Sequence, residues 1–131
     1  MRVARQWDVR AHLNLQRDIP PMPRKVAHEI TRMVQEALVN AIRHGAAREI
    51  TVTCITMGTD VALAVSYAGR GFAGFHGRHG LESLNRMKVG PRTLKERVSA
   101  IGGSLEIESG DGGARVEIRI PLAAAAATPG R

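Results

Sequence analysis

The chain has 131 residues, a length that suits one domain with a buried core and is short for two. Hydrophobic residues make up 44% and charged residues 24%, whereas aromatic residues at 3% predict a mainly aliphatic core. The sequence has no apolar run near the roughly 18 residues of a membrane span, no signal-peptide pattern, and one cysteine, Cys54, which excludes an internal disulfide. We therefore expect one domain that works in the cytoplasm.

The charge of the chain favours anionic partners without specifying one. The net charge is +7 and the isoelectric point is about 11.0, values that attract phosphate groups in general. The basic residues are scattered along the chain rather than massed, and few aromatic residues are present to stack on bases. We therefore expect no nucleic-acid partner, and no membrane segment within this chain.

Alternation and helical periodicity predict four elements in the first half of the chain. Apolar residues at every second position over 7–15 predict a half-buried strand, which a proline-rich turn ends. Residues 25–44 carry apolar side chains at helical spacing and are followed by Gly45, so they predict a long helix. Two alternating segments, 50–57 and 61–67, predict an antiparallel hairpin.

The second half is predicted to hold a loop, a helix and two strands. Residues 68–90 contain six glycines and little periodicity, so they predict a mobile loop with at most a short helical turn. Residues 91–101 begin with proline, end at a glycine pair and predict a helix. Strands are predicted at 105–108 and 115–120, and the alanine-rich tail at 123–131 is predicted to be disordered.

Polar side chains recur on one side of the first long helix. Glu36, Asn40 and either Arg43 or His44 follow one another at steps of three and four. A carboxylate and an amide one turn apart suit a hard cation, which takes oxygen ligands and bridges to phosphates. An ordinary solvated helix face has the same spacing, so the order of the other motifs is needed to choose between the two interpretations.

Several motifs in order resemble the ATP-binding catalytic domain of bacterial sensor histidine kinases. The segment VQEALVNAIRHG (34–45) precedes a hairpin ending in GRGF (69–72), and GPRTLKERVSAIGGSLEIESGDGGARVEIRIPL (90–122) follows a glycine-rich loop. The resemblance implies an ATP-binding domain over residues 1–122. It also implies an α/β fold of the kind shared with Hsp90 and gyrase: a two-layer sandwich of a mixed, largely antiparallel sheet with helices on one face.

The resemblance assigns the polar positions of the long helix to the family's N box. It implies that Asn40 coordinates Mg²⁺ and that Glu36 orients or activates a group near the γ-phosphate of ATP. Arg43 and His44 would lie near the phosphates, although the neighbouring Arg48 would serve equally well.

The glycine-rich loop departs from the family pattern Asp-x-Gly-x-Gly. Alignment on Gly69 and Gly71 places Tyr67 at the position of the Asp that accepts the adenine amino group, and a neighbouring position that is often Asp is Ala68. A Thr that supports adenine binding corresponds to Ala114. We expect Tyr67 to end its strand facing the pocket, with nucleotide affinity weakened by about ten- to a hundredfold.

A second glycine box and a lid follow. The box is reduced to Gly90 in the segment VGPRT, whose Thr93 is a further candidate for contact with the cofactor. Residues 73–89 correspond to the family's ATP lid, which orders over the triphosphate. Three basic residues of the lid are candidates for pairing with phosphates: Arg78, Arg86 and Lys88.

The resemblance implies a protein histidine kinase that uses ATP and Mg²⁺. The γ-phosphoryl group would pass to a histidine on a dimerisation and phosphoacceptor domain, which lies on another segment or chain, and indirectly to a response regulator. The departure at Tyr67 leaves a second hypothesis open, in which the chain is a non-catalytic interaction module that has lost ATP binding.

Overall fold

The computed structural model describes residues 9–19 and 21–122, which form a six-stranded sheet with three helices. The helices are α1 (Arg24–Arg43), α2 (Leu81–Met87) and α3 (Arg92–Ala100). The strands are β1 (Arg10–Leu15), β2 (Glu49–Met57), β3 (Asp60–Ala68), β4 (Gly77–Gly80), β5 (Ser104–Gly110) and β6 (Gly113–Pro121). The predicted two-layer α/β sandwich is confirmed. Trp7, at the start of the first predicted strand, and the tail at 123–131 lie outside the described residues.

The sheet is mixed, with the strand order β1-β2-β3-β6-β5-β4. Only the β1–β2 pair is parallel, and the other four pairs are antiparallel. Parallel neighbours need a long connection between them, and α1 supplies it here, whereas the predicted hairpin joins β2 to β3 by a tight turn. The last strand along the described chain, β6, therefore lies inside the sheet between β3 and β5.

The core lies between the sheet and the helices and is aliphatic, as the composition predicts. Alternate residues of β3, β5 and β6 face the helices and are buried, while their neighbours are more exposed. Cys54 is buried as expected, and burial raises the pKa of its thiol. The helices contribute the following buried side chains: Val26, Met33, Ala37 and Ala41 from α1, Leu84 from α2, and Leu94 and Val98 from α3.

The prediction for the first strand is wrong at its end. Leu13 and Leu15 were expected to be half-buried by alternation, but they are 44% and 61% exposed. Strand β1 lies at the edge of the sheet, so its side chains have a neighbouring strand on one side only. Only the first part of the segment, at Val9 and Ala11, is buried.

The prediction of a mobile loop over 68–90 is wrong for much of the segment, whereas the short helical turn expected within it is present as α2. The segment contains β4, which pairs with β5, and α2, which places Leu84 in the core with no exposed surface. Phe72 stacks on the buried Phe75 with ring centroids 5.8 Å apart. These three apolar side chains follow neither a helical nor a strand period, so the sequence pattern did not reveal that they anchor the segment.

One arginine joins the two longer helices. The Nε of Arg97 in α3 donates to Oε1 of Glu36 in α1 at 2.5 Å, and its Nη1 lies 3.6 Å from Oε1 of Glu29. The three side chains are each only about a quarter exposed, at 23% and 24%. The hydrogen bond to Glu36 raises the pKa of Arg97 above its ordinary value. The guanidinium therefore fixes the spacing of α3 from α1.

The end of α1 packs closely on the end of β3. Gly45 follows the helix and lies against the ring of Tyr67, because a Cβ on Gly45 would overlap that ring. The carbonyl oxygen of Gly45 accepts from the backbone N–H of Arg70 at 2.7 Å. A Cβ on Gly69 would in turn overlap this carbonyl oxygen. The helix, the strand and the glycine-rich loop thus meet where there is no room for a side chain.

Gly45→Ala should destabilise the protein by about 1–3 kcal/mol, because the added methyl group overpacks the contact with Tyr67. The free energy of unfolding in urea measures the effect. Gly112→Ala is the matched control, since nothing lies within 4 Å of a Cβ added there. Equal stabilities of the Gly45→Ala and Gly112→Ala proteins would contradict this account of the junction.

Arg97→Met should lower the urea midpoint, because two partly buried carboxylates lose their partner. Arg92→Met is the control on the same helix. Its ion pair with Glu96 is long, at 3.5 Å, and the arginine side chain is 89% exposed, so little change is expected. If both variants lost the same stability, Arg97 would not have the joining role described above.

Candidate functional site

A cleft of about 280 Å³ lies between the second half of α1 and the start of α3. It brings together three of the residues singled out from the sequence, which are Glu36, Asn40 and Thr93. The complete lining consists of Gln35, Glu36, Val39 and Asn40 from α1, and Pro91, Arg92, Thr93 and Leu94 from the start of α3.

Helical spacing explains why Glu36 and Asn40 reach this cleft together. They are one turn apart, and each precedes a buried alanine, Ala37 or Ala41, that faces the sheet. Both polar residues are therefore half-buried beside the core-facing stripe of α1. The Glu36 carboxylate has a fixed orientation, because Arg97 donates to one of its oxygens.

The other side of the cleft is the start of α3. Pro91 precedes the helix, and no side chain caps the first turn. Backbone N–H groups of a first helical turn have no acceptor within the helix, so they are available to an acceptor in the cleft. Thr93 adds a hydroxyl group, and Arg92 adds a cation whose side chain is 89% exposed and has a long ion pair with Glu96, at 3.5 Å.

The donor set suits a cation that is shared with phosphate oxygens. Among the described residues, no group of three or more His, Cys, Asp or Glu side chains could enclose a metal ion. Mg²⁺ retains water and phosphate ligands and needs only one or two oxygens from the protein. The amide oxygen of Asn40 and the carboxylate of Glu36 fit that requirement.

Two residues predicted near the phosphates do not line the cleft. Arg43 is the last residue of α1 and His44 follows it, and both are exposed. Gly90 does not line the cleft either, but it precedes Pro91 directly with φ of +92°, a conformation that glycine adopts readily. Gly90 therefore sets the direction in which the chain enters the start of α3.

Tyr67 lies one residue before the end of β3, and its side chain is buried rather than part of the cleft lining. Strand β3 continues to Ala68, and alternation turns Tyr67 toward the helices together with Val65. Tyr67 is 9% exposed, and burial raises the pKa of its hydroxyl. Its register partner in β6 is Ala114, the other position that departs from the family pattern.

The loop glycines have structural roles within the chain. A Cβ on Gly71 would overlap the Gly110 carbonyl oxygen and the Ser109 hydroxyl group. The buried Ser109 Oγ also accepts from the backbone N–H of Phe72 at 2.7 Å. Gly71, like Gly69, is therefore required by contacts with neighbouring backbone, and neither glycine lines the cleft.

Arg78 does not lie near the cleft, which corrects the prediction that it pairs with phosphates. It lies on the side of the sheet away from the helices and donates to Glu106 and Glu117, each at 2.5 Å. Arg115 and Arg78 together hold the pKa of Glu117 below its ordinary value. The alternation of side chains in β4 determines this side. Arg86 and Lys88 are exposed, in and just after α2.

Sequence reasoning missed several residues of the site. Gln35, Val39 and Arg92 line the cleft, and Arg97, outside the cleft lining, donates a hydrogen bond to Glu36. Gln35 and Val39 could have been found from the same helical face as Glu36. Arg97 is 61 positions from Glu36 along the chain, so no local pattern relates the two.

Residues 25–124 match a family described as histidine kinase-, DNA gyrase B- and HSP90-like ATPase. The sensor histidine kinase LiaS of Bacillus subtilis (strain 168) is 33% identical over 98 residues, which are 74% of this chain and 25% of that protein. The sensor protein VraS of Staphylococcus aureus (strain COL) is 26% identical over 102 residues, 77% of this chain and 27% of that protein. The chain thus spans about a quarter of the length of these curated relatives.

Solved structures agree with this match. The histidine kinase domain of the Erythrobacter litoralis EL346 blue-light activated histidine kinase has a TM-score of 0.66 and 25% identity, over 88% of this chain and 53% of that chain. The ATP-binding domain of PrrB from Mycobacterium tuberculosis shares the fold, with a TM-score of 0.61 and 22% identity over 88% of this chain and 81% of that chain. No helix among residues 9–19 and 21–122 is long and apolar enough to cross a membrane. The sequence match and the shared fold show that the chain belongs to the histidine kinase-, DNA gyrase B- and HSP90-like ATPase family.

Proposed function

We propose that this chain is the ATP-binding catalytic domain of a sensor histidine kinase. It would present the γ-phosphoryl group of ATP to a histidine on a dimerisation and phosphoacceptor domain, on another segment or chain, and a response regulator would receive the group indirectly. The supporting observation is the cleft in which Glu36 and Asn40 lie one turn apart on α1, opposite the uncapped start of α3. This arrangement offers oxygen ligands on one side and phosphate donors on the other.

Each cleft residue has a role that follows from its chemistry. Asn40 would hold Mg²⁺ through its amide oxygen, and Thr93 would donate to phosphate oxygens together with the first-turn N–H groups of α3. Glu36, kept in place by Arg97, would orient a group next to the γ-phosphate. When bound, Mg²⁺ would neutralise part of the charge on the phosphate groups.

The part of the proposed site that would bind adenine lacks the two side chains that the family pattern places there. At the two positions concerned the chain has Tyr67 and Ala114, and neither offers a carboxylate or a small hydroxyl side chain. A lost hydrogen bond to a charged group costs roughly 1.5–3 kcal/mol, and each 1.4 kcal/mol or so is tenfold in affinity. We therefore propose weak ATP binding that depends mainly on the phosphate end.

The burial of Tyr67 also favours a second candidate function, a non-catalytic interaction module. Gly69 and Gly71 fit this alternative, because their contacts with Gly45 and Gly110 require glycine whether or not a nucleotide binds. Calorimetric titration with Mg·ATP to millimolar concentration separates the two functions. Saturable binding supports the kinase domain, and its absence supports the interaction module.

Asn40→Ala should remove the Mg²⁺-dependence of ATP binding, because the variant lacks the proposed oxygen ligand. ATP affinity measured with Mg²⁺ and with a chelator gives the readout. Since Asn40 lies off the buried stripe of α1, the melting temperature should stay close to that of the wild-type protein.

Asn40→Asp is the matched control, because it retains an oxygen ligand and should remain Mg²⁺-dependent. If Asn40→Ala bound ATP with the same Mg²⁺-dependence as the wild-type protein, Asn40 would not be the metal ligand.

A further inference from the structure

The space beneath the end of α1 is filled by the chain's own aromatic ring. Tyr67 projects from β3 between its register partners, Ile50 in β2 and Ala114 in β6, and both of these are buried. Gly45 closes the space from above, so closely that an added Cβ would lie 2.7 Å from the ring atom Cζ. A planar ligand group therefore finds this position occupied by a side chain of similar shape.

In the part of the chain that the structure describes, the buried side chains also offer no free polar group that would recognise a base. Among the described residues, every buried side-chain nitrogen or oxygen already has a hydrogen-bond partner. The buried Ser109 is used by the backbone of Phe72. Selection of a base depends on polar groups that the base alone can satisfy. Opening this interior would expose no such group.

The cleft itself lacks a surface on which a base could stack. None of its lining residues is aromatic, and the stacked rings of Phe72 and Phe75 belong to a different part of the structure. The cleft volume of about 280 Å³ lies just below the range of about 300–1,000 Å³ that is usual for ligand pockets. The small volume of the cleft and its lack of aromatic residues therefore both suit a chain of phosphate groups without the base.

We infer that the cleft binds Mg²⁺-polyphosphate groups without selecting the base attached to them, and that the ring of Tyr67 is what removes base selection. The ligand class is then triphosphates in general, including tripolyphosphate itself. The inference rests on the proposed function, because it takes the cleft with Asn40 and Glu36 as the phosphate site.

The test compares three ligands on the wild-type chain by calorimetry, at one pH and one ionic strength: Mg·ATP, Mg·GTP and Mg·tripolyphosphate. We expect the three dissociation constants to agree within about threefold, since the base contributes little. If ATP bound about tenfold or more tightly than both other ligands, the inference would be wrong and the proposed function would stand. Failure of all three to bind would overturn both.

Two variants test the role of the ring. Tyr67→Ala vacates the space, so ATP and GTP should each gain about tenfold in affinity relative to tripolyphosphate. Tyr67→Phe retains the ring volume and should keep the wild-type ratio. An unchanged ratio in a Tyr67→Ala protein that still melts cooperatively would show that the ring is not responsible. Should that variant fail to fold, the three-ligand comparison on the wild-type chain still decides whether the base is selected.

Discussion

The close approach of backbone at Gly45 is the contact on which the site depends. It fixes the end of α1 to the end of β3 through the ring of Tyr67, and to the glycine-rich loop through a hydrogen bond to Arg70. The carbonyl oxygen of Asn40 accepts from the N–H groups of both His44 and Gly45, so the last turn of α1 is tied to the same point. The position of the Asn40 side chain above the sheet therefore depends on packing within the protein itself and does not require a bound ligand.

A second fixed point sets the width of the cleft. Arg97 joins α3 to Glu29 and Glu36, so the two walls of the cleft are held by one guanidinium group. The same contact engages one carboxylate oxygen of Glu36, a residue that also lines the cleft. The contact that joins the two helices and the proposed role of Glu36 thus meet on a single side chain.

The spacing of apolar residues along the sequence was enough to predict the helices and strands, but it was not enough to predict the contacts between them. Periodicity located α1 and the β2–β3 hairpin, because each carries a long run of one repeat. It failed over 68–90, where three irregularly spaced apolar side chains anchor β4 and α2. Alternation places Tyr67 on the same face as Val65, but only the structure shows that its ring is buried against Gly45. Such outcomes depend on tertiary packing that a single sequence does not display.

The position of β6 has a consequence for how the chain is made. Strands β3 and β5 are both complete before β6 is synthesised, yet β6 lies between them and pairs with each over most of its length. Without β6, the strands would form two separate pieces of sheet, and the facing edges of β3 and β5 would have no partner. The long-range pairing of β3 with β6, including the Tyr67–Ala114 pair, therefore forms only once β6 is available.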